Sequence, residues 1–175
     1  MPSVSEAIEP WHGFFALLGE ASATMVGLLF VAASVSSGVF SIERRAALRV
    51  FLSASVVHFS SILAACLIVT APQRSWVVLG LMVLGVGVFG LAYSGVAWRD
   101  TARDGLRARI DREDHIWYLL LPVVGYVCEC ASAIVLALRL DWGCVALALS
   151  VGMLMVVAIH NAWDITVWTV ARRRE

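Results

Sequence analysis

The chain has 175 residues, of which 61% are hydrophobic and only 15% charged, with a mean hydropathy of +0.86. A soluble domain carries about 25% charged residues, so the composition excludes one and describes an integral membrane protein whose first partner is the lipid bilayer. The formal net charge is zero, and no nucleic-acid partner is expected.

The first ten residues, MPSVSEAIEP, hold two Glu and no basic residue. They lack the positive start of a secretory signal peptide, and the apolar run behind them is too long for its core. The first span is therefore expected to stay in the mature chain. It covers about 12–40, opens beside Trp11 at the interface where aromatic belts sit, and carries Glu20 well inside the apolar run. Ile42 to Arg49 reads as a short polar connection. The second span covers 47–71, contains His58 and ends at Pro72, since proline cannot continue the hydrogen-bond ladder. The third covers 76–98 and is rich in glycine. Val83, Gly87, Gly90 and Ser94 share one of its faces at three-to-four spacing, which admits a second backbone closely.

Arg99 to His115 is the longest polar segment, with five Arg and five acids, and reads as a solvated loop. The fourth span, 116–138, carries Pro122 and Gly125, which predict a kink, and Glu129 between Cys128 and Cys130. A tight turn from Arg139 to Gly143 leads into the fifth, 144–170, with His160, Asn161 and Asp164. The expected fold class is thus all-α, a five-helix transmembrane bundle forming a single domain over 1–175.

Every basic residue is Arg, and the Arg fall unevenly. Arg44, Arg45 and Arg49, the five between Arg99 and Arg112, and Arg172 to Arg174 lie on one side of a five-span chain. Only Arg74 and Arg139 lie on the other. The positive-inside rule then puts the N-terminus outside and the C-terminus in the cytoplasm. At ~1.5 Å per residue, Glu20 and Glu129 both lie roughly 12 to 13 Å below the outer ends of their helices, and His58 and His160 both lie about 15 Å from the cytoplasmic end.

Ionisable groups inside a span are candidate functional residues by default, and each also has a plainer use. Glu20 and Glu129 can sit neutral and hydrogen-bond across the bundle, one against the other. His58 can be a satisfied partner in an interhelical hydrogen bond. His160 and Asp164 lie one turn apart, so that the carboxylate could fix the imidazole tautomer. Cys128 and Cys130 stand two apart on a helix and point to nearly opposite sides, so they cannot chelate one ion. All four Cys lie in or beside apolar runs, where free Cys behaves as a small hydrophobe, and no disulfide framework is expected. No nucleophile, phosphate loop or metal-ligand cluster supports an enzyme site, and neither metal nor catalytic residues are assigned.

The segments WHGFF, GEASATMVGLLFVAASV, RRAALR and HNAWDITVWTV resemble a widespread family of small bacterial inner-membrane proteins of uncharacterised function. The resemblance implies a multi-pass protein of the bacterial inner (plasma) membrane and brings no activity with it. Where that family's pattern reads Gly-Ala-Ser-Ala, this chain has Gly19, Glu20, Ala21, Ser22 and Ala23, so Glu20 belongs to this subgroup.

Three functions remain open from the sequence. One is a homo-oligomeric cation channel or transporter whose pore is lined by the first helix through Glu20, Thr24, Gly27, Val31, Ser34 and Gly38, a stripe small or polar except at Val31. Another is a non-catalytic subunit or regulator docking a larger membrane complex through small-residue faces. The last is a haem protein with His58 and His160 as axial ligands, for which no haem is otherwise indicated.

Overall fold

The computed structural model describes residues 3–36, 42–103 and 115–171, with side chains over 3–34, 54–99, 115–164 and at Val167. Gly38, most of the polar segment after Arg103 and the Arg at the C-terminus lie outside the described residues, and with them most of the Arg on which the orientation rests.

All regular structure among the described residues is helical. α1, Val4–Ile8, is opened by a capping box in which the Ser3 hydroxyl accepts from the Glu6 N–H and the Glu6 carboxylate accepts from the Ser3 N–H. Each thereby satisfies an end N–H that has no partner within the helix. A 3-10 turn, Glu9–Trp11, with Pro10 inside it, joins α1 to α2, His12–Ser36. Helix therefore begins ahead of the expected start at 12, because Ser3 caps it and proline is tolerated in a first turn.

α3 runs Ile42–Thr70 and α4 runs Trp76–Arg103. Both exceed their expected bounds of 47–71 and 76–98 at the polar end. The Ile42 to Arg49 connection is itself the first two turns of α3, since Glu and Arg are good helix formers and nothing in that stretch breaks a helix. Hydropathy finds the apolar part of such a helix and passes over its polar continuation.

The fourth span begins as a π-helical turn, Ile116–Leu120, and continues as α5, Leu121–Ala137. The interruption falls directly before Pro122. The Leu121 N–H donates to the Ile116 carbonyl, five residues back; the next N–H in that register would be that of residue 122, and proline has none. The Asn161 side-chain amide supplies the missing donor to the Trp117 carbonyl, at 3.3 Å. α5 ends in a reverse turn in which Arg139, at φ 59°, donates to the Leu136 carbonyl, and Leu140 to that of Val135. Arg thus occupies the left-handed position that more often holds glycine. α6, Gly143–Ala171, completes the chain.

Contacts between helices fix their directions. Gly80 meets Ala133 and Ala137, Gly87 meets Cys130, and Gly90 meets the Tyr126 ring, so α4 and α5 are antiparallel. The glycine face of the third span does admit a close backbone, that of α5. α5 and α6 are antiparallel too, since Trp117 stacks on His160 and Gly125 faces Leu154. α2 and α6 run parallel, with Cys144 near the Ala7 carbonyl and Ser22 donating to the Met155 sulfur at 3.8 Å. The chain therefore passes up and down through one bundle around Phe59, Ile62, Tyr126, Leu147 and Val151.

Among the described residues, four stretches are long and apolar enough to cross a membrane: Val4–Ser34, Trp76–Arg99, Ile116–Ala137 and Gly143–Asp164. Ala54–Thr70 is a shorter apolar stretch within the 29-residue α3, whose full length of about 44 Å exceeds the ~30 Å hydrocarbon core.

Candidate functional site

The bundle holds two groups of intramembrane polar side chains and leaves a third set on its outside. The first group lies where α3 and α5 meet across the core. The His58 Nδ1 is 2.9 Å from the Tyr126 hydroxyl, and the Tyr93 ring on α4 meets the imidazole edge to face at 6.4 Å between centroids. His58 is 3% exposed and Tyr126 fully buried. Glu129 follows Tyr126 by three residues, which puts both on one face of α5. It is 1% exposed, and neither of its oxygens has a hydrogen-bond partner among the described residues. Ser61 Oγ is likewise buried, beside the Tyr126 hydroxyl.

This arrangement makes His58 the interhelical hydrogen-bond partner that its plainer reading expects. Tyr126→Phe should therefore cost about 1 kcal/mol, because a buried imidazole nitrogen loses its partner while ring packing is kept. Reversible unfolding in mixed detergent measures this, and an exposed Ser60→Ala serves as the unchanged control. A Tyr126→Phe protein as stable as the parent would show that the bond contributes nothing.

A second group ties the π turn to α6. The Trp117 and His160 rings stack with centroids 3.8 Å apart and planes 8° from parallel. The Tyr118 hydroxyl donates to the Asp164 carboxylate at 3.0 Å, and Asn161 reaches the Trp117 carbonyl. The sequence suggests that Asp164 could fix the His160 tautomer; in the structure the Asp164 carboxylate accepts from Tyr118, and the His160 Nδ1 has no hydrogen bond among the described residues.

Nor does the structure bring His58 and His160 together at one depth. His58 packs at Tyr126 on α5 and His160 at Trp117 in the π turn before it, nine residues apart along the fourth span, or roughly 13 Å of helix. Each ring is engaged in its own cluster, and an axial pair across one haem does not fit that placement. Among the described residues no group of three or more His, Cys, Asp or Glu could hold a metal ion.

The third set is the stripe of the first span. Glu20, Thr24, Gly27, Val31 and Ser34 are all exposed on the outside of the bundle, and nothing in the chain lies within 4 Å of a Cβ placed on Gly27. Thr24 donates to the Glu20 carbonyl at 2.9 Å and Ser34 to that of Phe30 at 2.8 Å, so both hydroxyls are satisfied on their own helix. The reason lies one residue earlier. Gly19 faces α3, where its Cβ position is 3.2 Å from that of Cys66, and this turns Glu20 outward.

Glu20 and Glu129 face opposite environments, Glu129 the core and Glu20 the exterior. The expectation that they bond to each other fails. Of the paired cysteines, Cys128 is exposed while Cys130 packs on Gly87.

Tyr126, Tyr93, Trp117 and Tyr118 were not singled out from the sequence. A hydroxyl-bearing ring one turn ahead of Glu129 is a signal that could have found Tyr126. No spacing on α5 marks Trp117, whose partner comes from another helix.

No family model matches the chain, and no curated protein or solved structure does either.

Proposed function

We propose that the chain is one subunit of a homo-oligomeric cation channel or transporter of the bacterial inner membrane, with the outer face of α2 turned to the symmetry axis, the N-terminus outside and the C-terminus cytoplasmic. The observation that carries this reading is Glu20: a carboxylate inside a membrane-crossing helix, exposed on the outside of its own bundle. Facing lipid, such a group costs a few kcal/mol even on insertion scales. Facing water or a cation it does not.

α2 is suited to an intersubunit position because it lies at the edge of the bundle. Only 22% of its crossing stretch is buried, against 56% for α6. Its exposed face carries the small and polar residues Thr24, Gly27 and Ser34, and close helix contacts in membranes favour such residues. A ring of Glu20 carboxylates would attract cations and repel anions. Val31 is the one bulky apolar side chain on the stripe. The Arg distribution supports the orientation, and the likeness of WHGFF and HNAWDITVWTV to small bacterial membrane proteins supports the compartment.

The test is flux through purified protein in liposomes, together with disulfide trapping of Gly27→Cys across subunits. The reading expects cation current with little chloride permeation, and covalent dimers from Gly27→Cys that Gly85→Cys on α4 does not give. No current at any voltage, pH or divalent-ion concentration, with no trapped dimer, would overturn it. The same face would then belong to a larger membrane partner of which this chain is a non-catalytic subunit.

A further inference from the structure

Glu129 is the least compensated polar group in the described core. Its carboxyl is 1% exposed, with both oxygens lacking a hydrogen bond among the described residues. An ionised carboxylate in such a place is too costly to persist alone. Something must supply either donors or positive charge.

The surrounding helices supply no positive charge. Between Val145 and Ile159, α6 has no titratable side chain, and between Val77 and Trp98, α4 has only Tyr93. On its own helix the neighbours are Tyr126 and Cys130, both within electrostatic reach. α3 offers Cys66, which interacts with Glu129, and His58, whose Nδ1 is already engaged with Tyr126. None of the described segments around Glu129 brings an Arg inside the bundle.

What the site does offer is oxygen. Ser61 Oγ on α3 is buried and within hydrogen-bonding reach of the Tyr126 hydroxyl. Two orphaned acceptors on α5, a buried hydroxyl on α3 and the phenolic oxygen of Tyr126, which interacts with both groups, form a small oxygen-bearing site. It is of the kind that takes a compact cation, since hard cations prefer oxygen donors.

We propose that Glu129 is the centre of a binding site for one small monovalent cation, a proton or a sodium ion, held within each chain and separate from the Glu20 face. The Glu129 carboxylate provides the charge, with Tyr126 and Ser61 the further oxygens offered from the core. One bound cation leaves the core neutral. The site stands whether or not the Glu20 face conducts, because it is enclosed in a single bundle.

Infrared difference spectroscopy of the protein in liposomes tests this, with every sample in the Glu20→Gln background so that the outer carboxyl does not contribute. A carboxylic-acid C=O band, equivalent to one group per chain, lost on Glu129→Gln and indifferent to replacing choline by sodium, identifies the proton. A band that disappears as sodium is added, with a sodium-dependent rise in melting temperature that Glu129→Gln abolishes, identifies sodium.

Ser61→Ala should shift the band or weaken the sodium response several-fold without abolishing it. If Glu129→Gln does not fold, Glu129→Asp assigns the signal by moving the band. Absence of both the acid band and the sodium response would overturn the proposal, since Glu129 would then be a permanently ionised group compensated by other means.

Discussion

Replacing Gly90 by alanine is expected to destabilise the bundle by on the order of 3 kcal/mol, the largest single effect of one added methyl group here. A Cβ at Gly90 would lie 2.1 Å from Tyr126 Cε1 and 2.3 Å from both Cδ1 and Cζ. Those distances lie far inside van der Waals contact. The ring cannot swing aside freely, because Tyr126 is fully buried and its hydroxyl is engaged with His58. Either α4 and α5 must separate or the Tyr126 to His58 bond must break, and interiors packed to crystal density absorb neither cheaply.

Gly85 and Gly95 on the same helix are the controls, since nothing lies within 4 Å of a Cβ at either. Alanine there should be neutral or stabilising by about 0.5 to 1 kcal/mol through helix propensity alone. Unfolding in mixed detergent, followed by circular dichroism, reads all three. In Tyr126→Leu, which vacates the space, Gly90→Ala should cost much less than in the parent, a non-additivity that marks direct contact. Equal stabilities for Gly90→Ala and Gly85→Ala would show that the two helices are not packed as described.

Reversing the charge at Glu20 is expected to reduce cation flux at least tenfold. If the outer faces of α2 surround an axis, Glu20→Lys replaces a ring of negative charge by a ring of positive charge where the pathway is narrow and poorly screened, and cations are excluded. Glu20→Gln removes the attraction without adding repulsion, so flux should fall only severalfold and selectivity over chloride should relax. Val31→Ser tests the opposite direction. Val31 is 60% exposed, and a polar side chain there should ease wetting of the constriction and make the protein leakier. Liposome flux assays under matched protein load measure all three variants. A Glu20→Lys protein that conducts cations as well as the parent would place the carboxylate away from any ion pathway.

How much of this could be read in advance differs from element to element. Hydropathy located the four stretches of crossing length and the shorter apolar part of α3, because a bilayer asks for about 20 apolar residues whatever surrounds them. Helix ends were less accessible. The Glu43 to Arg49 stretch looks like a loop to hydropathy and is helix in the structure, because lipid-facing composition and helix propensity are different properties. Pro122 announced an irregularity, since its missing N–H is a property of the residue itself. Its form as a π turn, with Asn161 serving the Trp117 carbonyl, needed a second helix.

The sequence by itself determined that this is an all-helical membrane protein, that Glu20, Glu129, His58 and His160 lie within its apolar stretches, and that Gly87 and Gly90 admit a close neighbour. These follow from residue chemistry and helical periodicity, which are local. Only the tertiary structure decided which way each group faces. Gly19 against Cys66 turns Glu20 outward, the α3 to α5 contact encloses Glu129 beside the Tyr126 to His58 bond, and Trp117 draws His160 into a separate cluster. A rotation of about 100° per residue around a helix changes a side chain's surroundings completely while leaving its depth nearly the same, and depth was the only coordinate that spacing along the chain could supply.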